Sequence, residues 1–221
     1  MSRPAVRRLV PVAALSLLAA CSDIGGPLRT DNFYEWRVVQ ATDTLSFHWP
    51  QSFLPVRIWA EDQVSLPLYA DSSIAKWKRV FLFGEWNAVR VTDSTTADVI
   101  VRYGPPPAGD DILLDRVALE SFAPECQATT LPHIDDRREA HLPMHVYISA
   151  RFVPELPETQ ACLALTLTHE IGHTLGIFRH SPHPEDLMYS NPTVATPSER
   201  DRNTAEILYH SPANVSPAQR P

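Results

Sequence analysis

Short stretches of this chain carry β-branched and aromatic residues at alternate positions, and each reads as a strand with one buried face. Residues 52–60 (SFLPVRIWA) put Val56, Ile58 and Ala60 on one side; residues 88–92 (AVRVT), 98–103 (DVIVRY) and 144–149 (MHVYIS) are similar runs. Residues 116–123 (RVALESFA) add another, ended by Pro124. Elsewhere the period lengthens. Ala70, Ile74, Trp77 and Phe81 recur at helical spacing, with Lys76, Lys78 and Arg79 on other faces, which predicts an amphipathic helix. Ala164, Leu167, Ile171 and Leu175 mark the packing face of a second helix over residues 158–176, and a rotation of about 100° per residue puts His169 and His173 on its opposite face. A third helix has start signals in Thr196 as N-cap, Pro197 at the first helical position and Glu199 three residues after the cap, and it ends before Pro212. Residues 124–143 show no period and read as irregular.

Composition narrows the class. With 221 residues, 44% of them hydrophobic, the chain can build one sizeable core. The net charge is -7 and no basic run lies beyond the first few residues, so nucleic acid is not an expected partner. Arg3, Arg7 and Arg8 precede an apolar run over residues 9–20, too short to span a bilayer and suited to the core of an export signal. That run ends in Leu18-Ala19-Ala20-Cys21, which resembles a bacterial lipobox. The resemblance implies a signal peptide over residues 1–20, lipid on Cys21, and a place in the bacterial cell envelope, on the outer membrane in a Gram-negative host because Ser22 follows the cysteine. Residues 21–46 are expected to be a tether, 47–212 the working domain and 213–221 a loose tail. Cys126 and Cys162 are then an even pair in an oxidising compartment, and a disulfide is expected between them.

The chemistry concentrates in residues 169–190, HEIGHTLGIFRHSPHPEDLMYS. Histidines four apart on a helix stack one turn apart, close enough for both to bind a single zinc. Glu170 projects beside such a metal, where a carboxylate takes a proton from the attacking water and passes it to the leaving amine. Gly176 is a natural helix stop that turns the chain back toward the metal. A third ligand is expected soon after.

Here the chain resembles the metzincin zinc peptidases, whose signature HExxHxxGxxH precedes a turn containing methionine. The third histidine of that signature falls on Arg179, whose guanidinium stays protonated and cannot ligate. His180, one place later, begins HSPHPEDLMYS, which looks like the His-Ser start and Leu-Met-Tyr turn of the matrixin family. His180 is therefore the expected third ligand, with His183 the alternative. The resemblance extends over residues 47–212, including ADVIV at residues 97–101, ALESFAP at 118–124 and PSERDRNTAEILY at 197–209. It implies an α+β zincin fold: a twisted, mixed five-stranded sheet, three main helices and a Met-turn. Met188 would pack beneath the site and Tyr189 would line the pocket for the substrate side chain after the scissile bond. An extended peptide could pair with the edge of the strand near residues 117–122.

The expected activity is that of a zinc-dependent endopeptidase with one catalytic zinc, acting as a monomer on extracellular or periplasmic proteins or peptides. Competing readings are an inactive zincin-fold lipoprotein that serves as a binding module, and a site whose third ligand is a carboxylate, Glu199 or Glu206. Cys126 could instead cap the metal as a latency switch. His133, Asp135, His141 and His145 form a loose cluster that reads as solvated loop residues. With no GxSxG in the chain, a serine hydrolase lacks support.

Overall fold

The structure, a computed structural model, describes residues 32–40, 42–107, 120–122 and 125–220. The signal segment and Cys21 lie outside the described residues. In chain order the strands and helices are β1 (Val38–Gln40), β2 (Asp43–Leu45), β3 (Val56–Ala60), α1 (Leu66–Lys78), β4 (Ala88–Val91), β5 (Val99–Tyr103), β6 (Glu120–Phe122), β7 (Cys126–Leu131), β8 (Glu139–Ala140), β9 (Met144–Ala150), α2 (Pro157–Thr174), α3 (Glu199–His210) and β10 (Ser216–Pro217). Among the described residues no helix is long and apolar enough to cross a membrane.

The main sheet runs β4-β3-β5-β9-β7-β6. The first four strands are parallel, while β7 is antiparallel to both β9 and β6. The α+β class, the mixed sheet and the three helices are as expected. A strand beyond the expected five arises because residues 126–131 (CQATTL), read as irregular, alternate strictly between buried and half-buried positions. Their inward residues are Cys126, Ala128 and Thr130, too small or too polar to register as a hydrophobic period.

Other boundaries move for local reasons. Gln51–Phe53 form a 3-10 turn and Pro55 lacks an N–H for a ladder, so β3 begins at Val56. α1 stops at Lys78, and Phe81, counted above on its apolar face, instead meets Tyr209 edge to face at 4.8 Å between ring centroids. The N-cap of α3 is Ser198, whose hydroxyl accepts the Asp201 N–H while the Asp201 carboxylate accepts the Ser198 N–H. The capping box thus sits two residues later than Thr196 and Glu199 suggested.

α1 lies over β3 and β4, α2 over β7 and β9, and the two helices pack on each other. Trp77 joins them by donating its indole N–H to the Thr168 carbonyl at 2.8 Å. Cys126 and Cys162 are joined in a disulfide that ties β7 to α2. Because its Sγ is in that bond, Cys126 offers no thiolate to a metal. Described residues on both sides of the expected 47–212 domain pack against it. The compact unit begins at Asn32, not near residue 47, and buries Tyr34, Trp36, Val38 and Leu45. At the other end Val215 is buried, Ser216–Pro217 pair with β8, and Arg220 forms a salt bridge to the buried Asp98 at 2.9 Å.

Candidate metal centre

The helical half of the site follows from α2. Every residue over 166–178 is buried, so the face carrying His169 and His173 is as enclosed as the face that packs. Gly172 lies between the two histidines on the helix, and a Cβ there would collide with the Met188 Sδ and come within 2.7 Å of the Trp77 ring. Only glycine lets Met188 and Trp77 press this close to the helix backbone.

Backbone carbonyls fix both imidazoles. His169 Nδ1 lies 2.7 Å from the Leu187 carbonyl and His173 Nδ1 lies 2.6 Å from the Ile177 carbonyl. A carbonyl can only accept, so each Nδ1 carries the proton and each Nε2 carries a lone pair. Those two Nε2 atoms face each other at 3.0 Å with no proton between them. The third imidazole, His180, has its centroid 5.2 Å from that of His169 and 5.1 Å from that of His173. Its Nε2 is buried and has no hydrogen-bond partner among the described residues. One potential ligand atom from each histidine lies within 4.8 Å of the others, and no carboxylate or thiol belongs to this group.

Electrostatics agree with that arrangement. Burial, and next the neighbouring His180, push the His169 pKa down to about 3. The His173 pKa lies well below the ordinary value through burial and then its two histidine neighbours, and burial alone brings His180 to about 4. Three neutral imidazoles therefore present converging lone pairs at neutral pH. Such lone pairs repel unless a cation sits among them, and neutral imidazole is the form that ligates zinc. The donor set fits a divalent metal of that kind.

The loop that brings His180 in absorbs one extra residue. Gly176 ends the helix at φ +113°, where a Cβ would strike the Phe47 carbonyl oxygen. Phe178 then donates its N–H to the Trp36 carbonyl at 2.9 Å, as if adding to a strand, and Arg179 turns out to solvent. His180 comes back inward. His183 is exposed and lies outside the cluster, as do Glu199 and Glu206.

Below the histidines, residues 181–189 close a turn. Ser181 donates its N–H to the Met188 carbonyl at 2.8 Å, and Met188 is fully buried. Tyr189 is half-buried at the end of that turn. Asp201 accepts the Leu187 N–H at 2.8 Å and the Tyr34 hydroxyl at 2.7 Å. One continuous path therefore runs from Tyr34 through Asp201 and residue 187 to His169. The buried Asp186 accepts hydrogen bonds from Ser181, from Ser198 at 2.7 Å and from Arg200 at 2.8 Å. Burial pushes the Asp186 pKa up, but those hydrogen bonds together, led by Arg200, outweigh it and hold the carboxyl below its ordinary range.

Glu170 is buried beside the histidines, and Thr130 of β7 donates its hydroxyl to Oε2 at 2.6 Å. Sequence reasoning missed Thr130, because its strand was not seen, and Tyr34, because its segment was read as tether. A period-two count that accepts threonine and small residues as inward positions would have found the strand. The second cluster is not a metal group among the described residues: His133 and His141 stack at 4.6 Å, His141 Nε2 meets Asp135 at 3.3 Å, and His145 stacks on Tyr147.

No curated protein matches the chain. The family model described as Matrixin matches residues 58–210, a span from within β3 to the end of α3 that takes in the whole histidine cluster. The chain belongs to the matrixin family of zinc-dependent metallopeptidases.

Proposed function

We propose that this protein is a zinc-dependent endopeptidase anchored to the bacterial cell envelope through a lipid on Cys21. The observation that carries the catalytic reading is the convergence of three buried or half-buried imidazoles, two of them, His169 and His173, with tautomers set by backbone carbonyls. His169, His173 and His180 would hold the metal. When bound, zinc supplies Lewis acidity that acidifies a water and polarises the scissile carbonyl. Glu170 takes the proton of the attacking water and delivers it to the leaving amine, so one carboxylate serves as base and then acid. Tyr189 would border the pocket for the side chain that follows the cleaved bond. Substrates are extracellular or periplasmic proteins or peptides, and the enzyme acts as a monomer. On a Gram-negative host the anchor lies in the outer membrane.

The test measures zinc per chain and peptide cleavage by the chain from residue 21 with Cys21→Ser, then by single variants in that background. We expect about one zinc per chain and turnover of a peptide library, in line with a three-histidine site. Glu170→Ala should keep the zinc and lose activity, His180→Ala should lose both, and His183→Ala should keep both. A folded parent chain that takes up no zinc would sink the enzymatic reading in favour of a binding module. Zinc retained in His180→Ala and lost in His183→Ala would reverse the ligand assignment.

A further inference from the structure

We propose that Thr130 is a positioning residue for Glu170, setting the rotation of its carboxylate so that protons pass along one fixed direction. The inference rests on the peptidase reading above, since it assigns Thr130 a role through the proposed base.

The geometry begins with the hydroxyl. Thr130 Oγ1 lies 2.6 Å from Glu170 Oε2 and 3.3 Å from the Glu170 carbonyl. A hydroxyl has one proton to give, and the shorter contact, to the side-chain oxygen, takes it. Thr130 is 1% exposed and Glu170 fully buried, so the bond is sheltered from competing solvent. A β-branched side chain has little freedom about χ1, so an oxygen on threonine at this place is aimed by the strand itself. The strand is aimed in turn by its register, in which Thr130 faces Val146 of β9.

A second tie keeps strand and helix in step. Cys126 and Thr130 are both inward positions of β7, four residues apart, which spans about 13 Å of strand. Their partners on α2, Cys162 and Glu170, are eight residues apart, about 12 Å of helix. The two segments run for nearly equal lengths, pinned at one end by the disulfide and at the other by the Thr130 to Glu170 hydrogen bond. Sliding of β7 along α2 would break that match. The carboxylate therefore inherits its orientation from the sheet as well as from its own helix.

The experiment compares Thr130→Val, which keeps the branched shape and removes the hydroxyl, with Thr130→Ser, which keeps the hydroxyl. All variants are zinc-loaded. Thr130→Val should retain its zinc and its KM while kcat falls about tenfold, the size of effect seen when the orienting partner of a site residue is removed. Thr130→Ser should recover kcat to within about threefold of the parent chain by restoring the donor. Thermal unfolding supplies a readout independent of activity. Thr130→Val should lower Tm by about 3 °C when Glu170 is present and by much less in a Glu170→Ala background, because the lost hydrogen bond needs both partners.

Equal loss of Tm in both backgrounds would reduce Thr130 to a packing residue, and so would a Thr130→Val variant with undiminished kcat. If the parent chain binds zinc yet cleaves nothing, the peptidase reading fails and this inference goes with it. An active parent chain unaffected by Thr130→Val removes this inference alone.

Discussion

The metal centre is assembled from two regions built on different principles. His169 and His173 stand on one helix, so the helical repeat sets their separation and main-chain carbonyls set their tautomers. His180 stands on a loop whose course depends on contacts with residues far away in sequence: Trp36 at Phe178, Phe47 at Gly176, and Asp201 and Arg200 at the turn below. The first region is local and the second is not. Ligands held by a helix tolerate change around them, whereas a ligand held by a loop is only as well placed as the elements bracing that loop. The inserted residue before His180 falls in the region that can absorb it, since an added residue within α2 would rotate one histidine about 100° away from the other.

Perturbations on either side should sharpen this contrast. The largest effect is expected on the helical side, from Cys126→Ser with Cys162→Ser. Opening the loop between residues 126 and 162 should cost about 4 kcal/mol of stability, read by urea unfolding. A change under 1 kcal/mol would mean that the packing of β7 on α2 suffices without the bond.

Asp186→Ala is the counterpart on the loop side. It strips a buried carboxylate from Arg200 and two serines, and the expected loss is about 3 kcal/mol. In the zinc-loaded chain it should also weaken metal affinity through His180, while the disulfide variant, once folded, should bind zinc nearly as the parent does. The comparison breaks if the two variants lose zinc equally.

How much of this could be read beforehand tracks the same division. Helix α2, its two histidines and the place of Glu170 follow from spacing within a few turns, and the peptide geometry that carries them is local. Strands β3, β5 and β9 were legible because Val and Ile occupy their inward positions. Strand β7 was not, because Thr130 faces inward to meet a carboxylate and not to fill a hydrophobic gap. The capping residues of α3 were misplaced for a related reason. Asp201 serves the helix end, the Met188 turn and Tyr34 at once, and no short window of sequence contains those partners together. Tyr34 lay hidden in a segment whose mixed polar composition looks like a linker until its burial is known.

The smallest expected effect tests that long reach. Tyr34→Phe removes one hydroxyl and leaves the ring in place, and should cost about 1 to 2 kcal/mol in urea unfolding, since the lost bond was to a buried carboxylate. Asp201 keeps its backbone donors, so the helix cap should survive and circular dichroism should be unchanged. A loss within measurement error would show that the Leu187 turn holds its shape without support from the amino-terminal segment.

Residues 46 and 47 meet residues 214 and 215 in a short seam. Phe47 bridges Val215, the Ser46 carbonyl accepts the N–H groups of Asn214 and Val215 at 3.0 Å each, and Arg220 reaches back to Asp98. Excision at the limits of the family match, residues 58–210, would cut away both halves of this seam together with Trp36 and Phe47. Such a fragment would keep all three histidines and the glutamate yet lose the clasp that aims one of them, so the unit inherited as a motif is smaller than the unit that can fold around it.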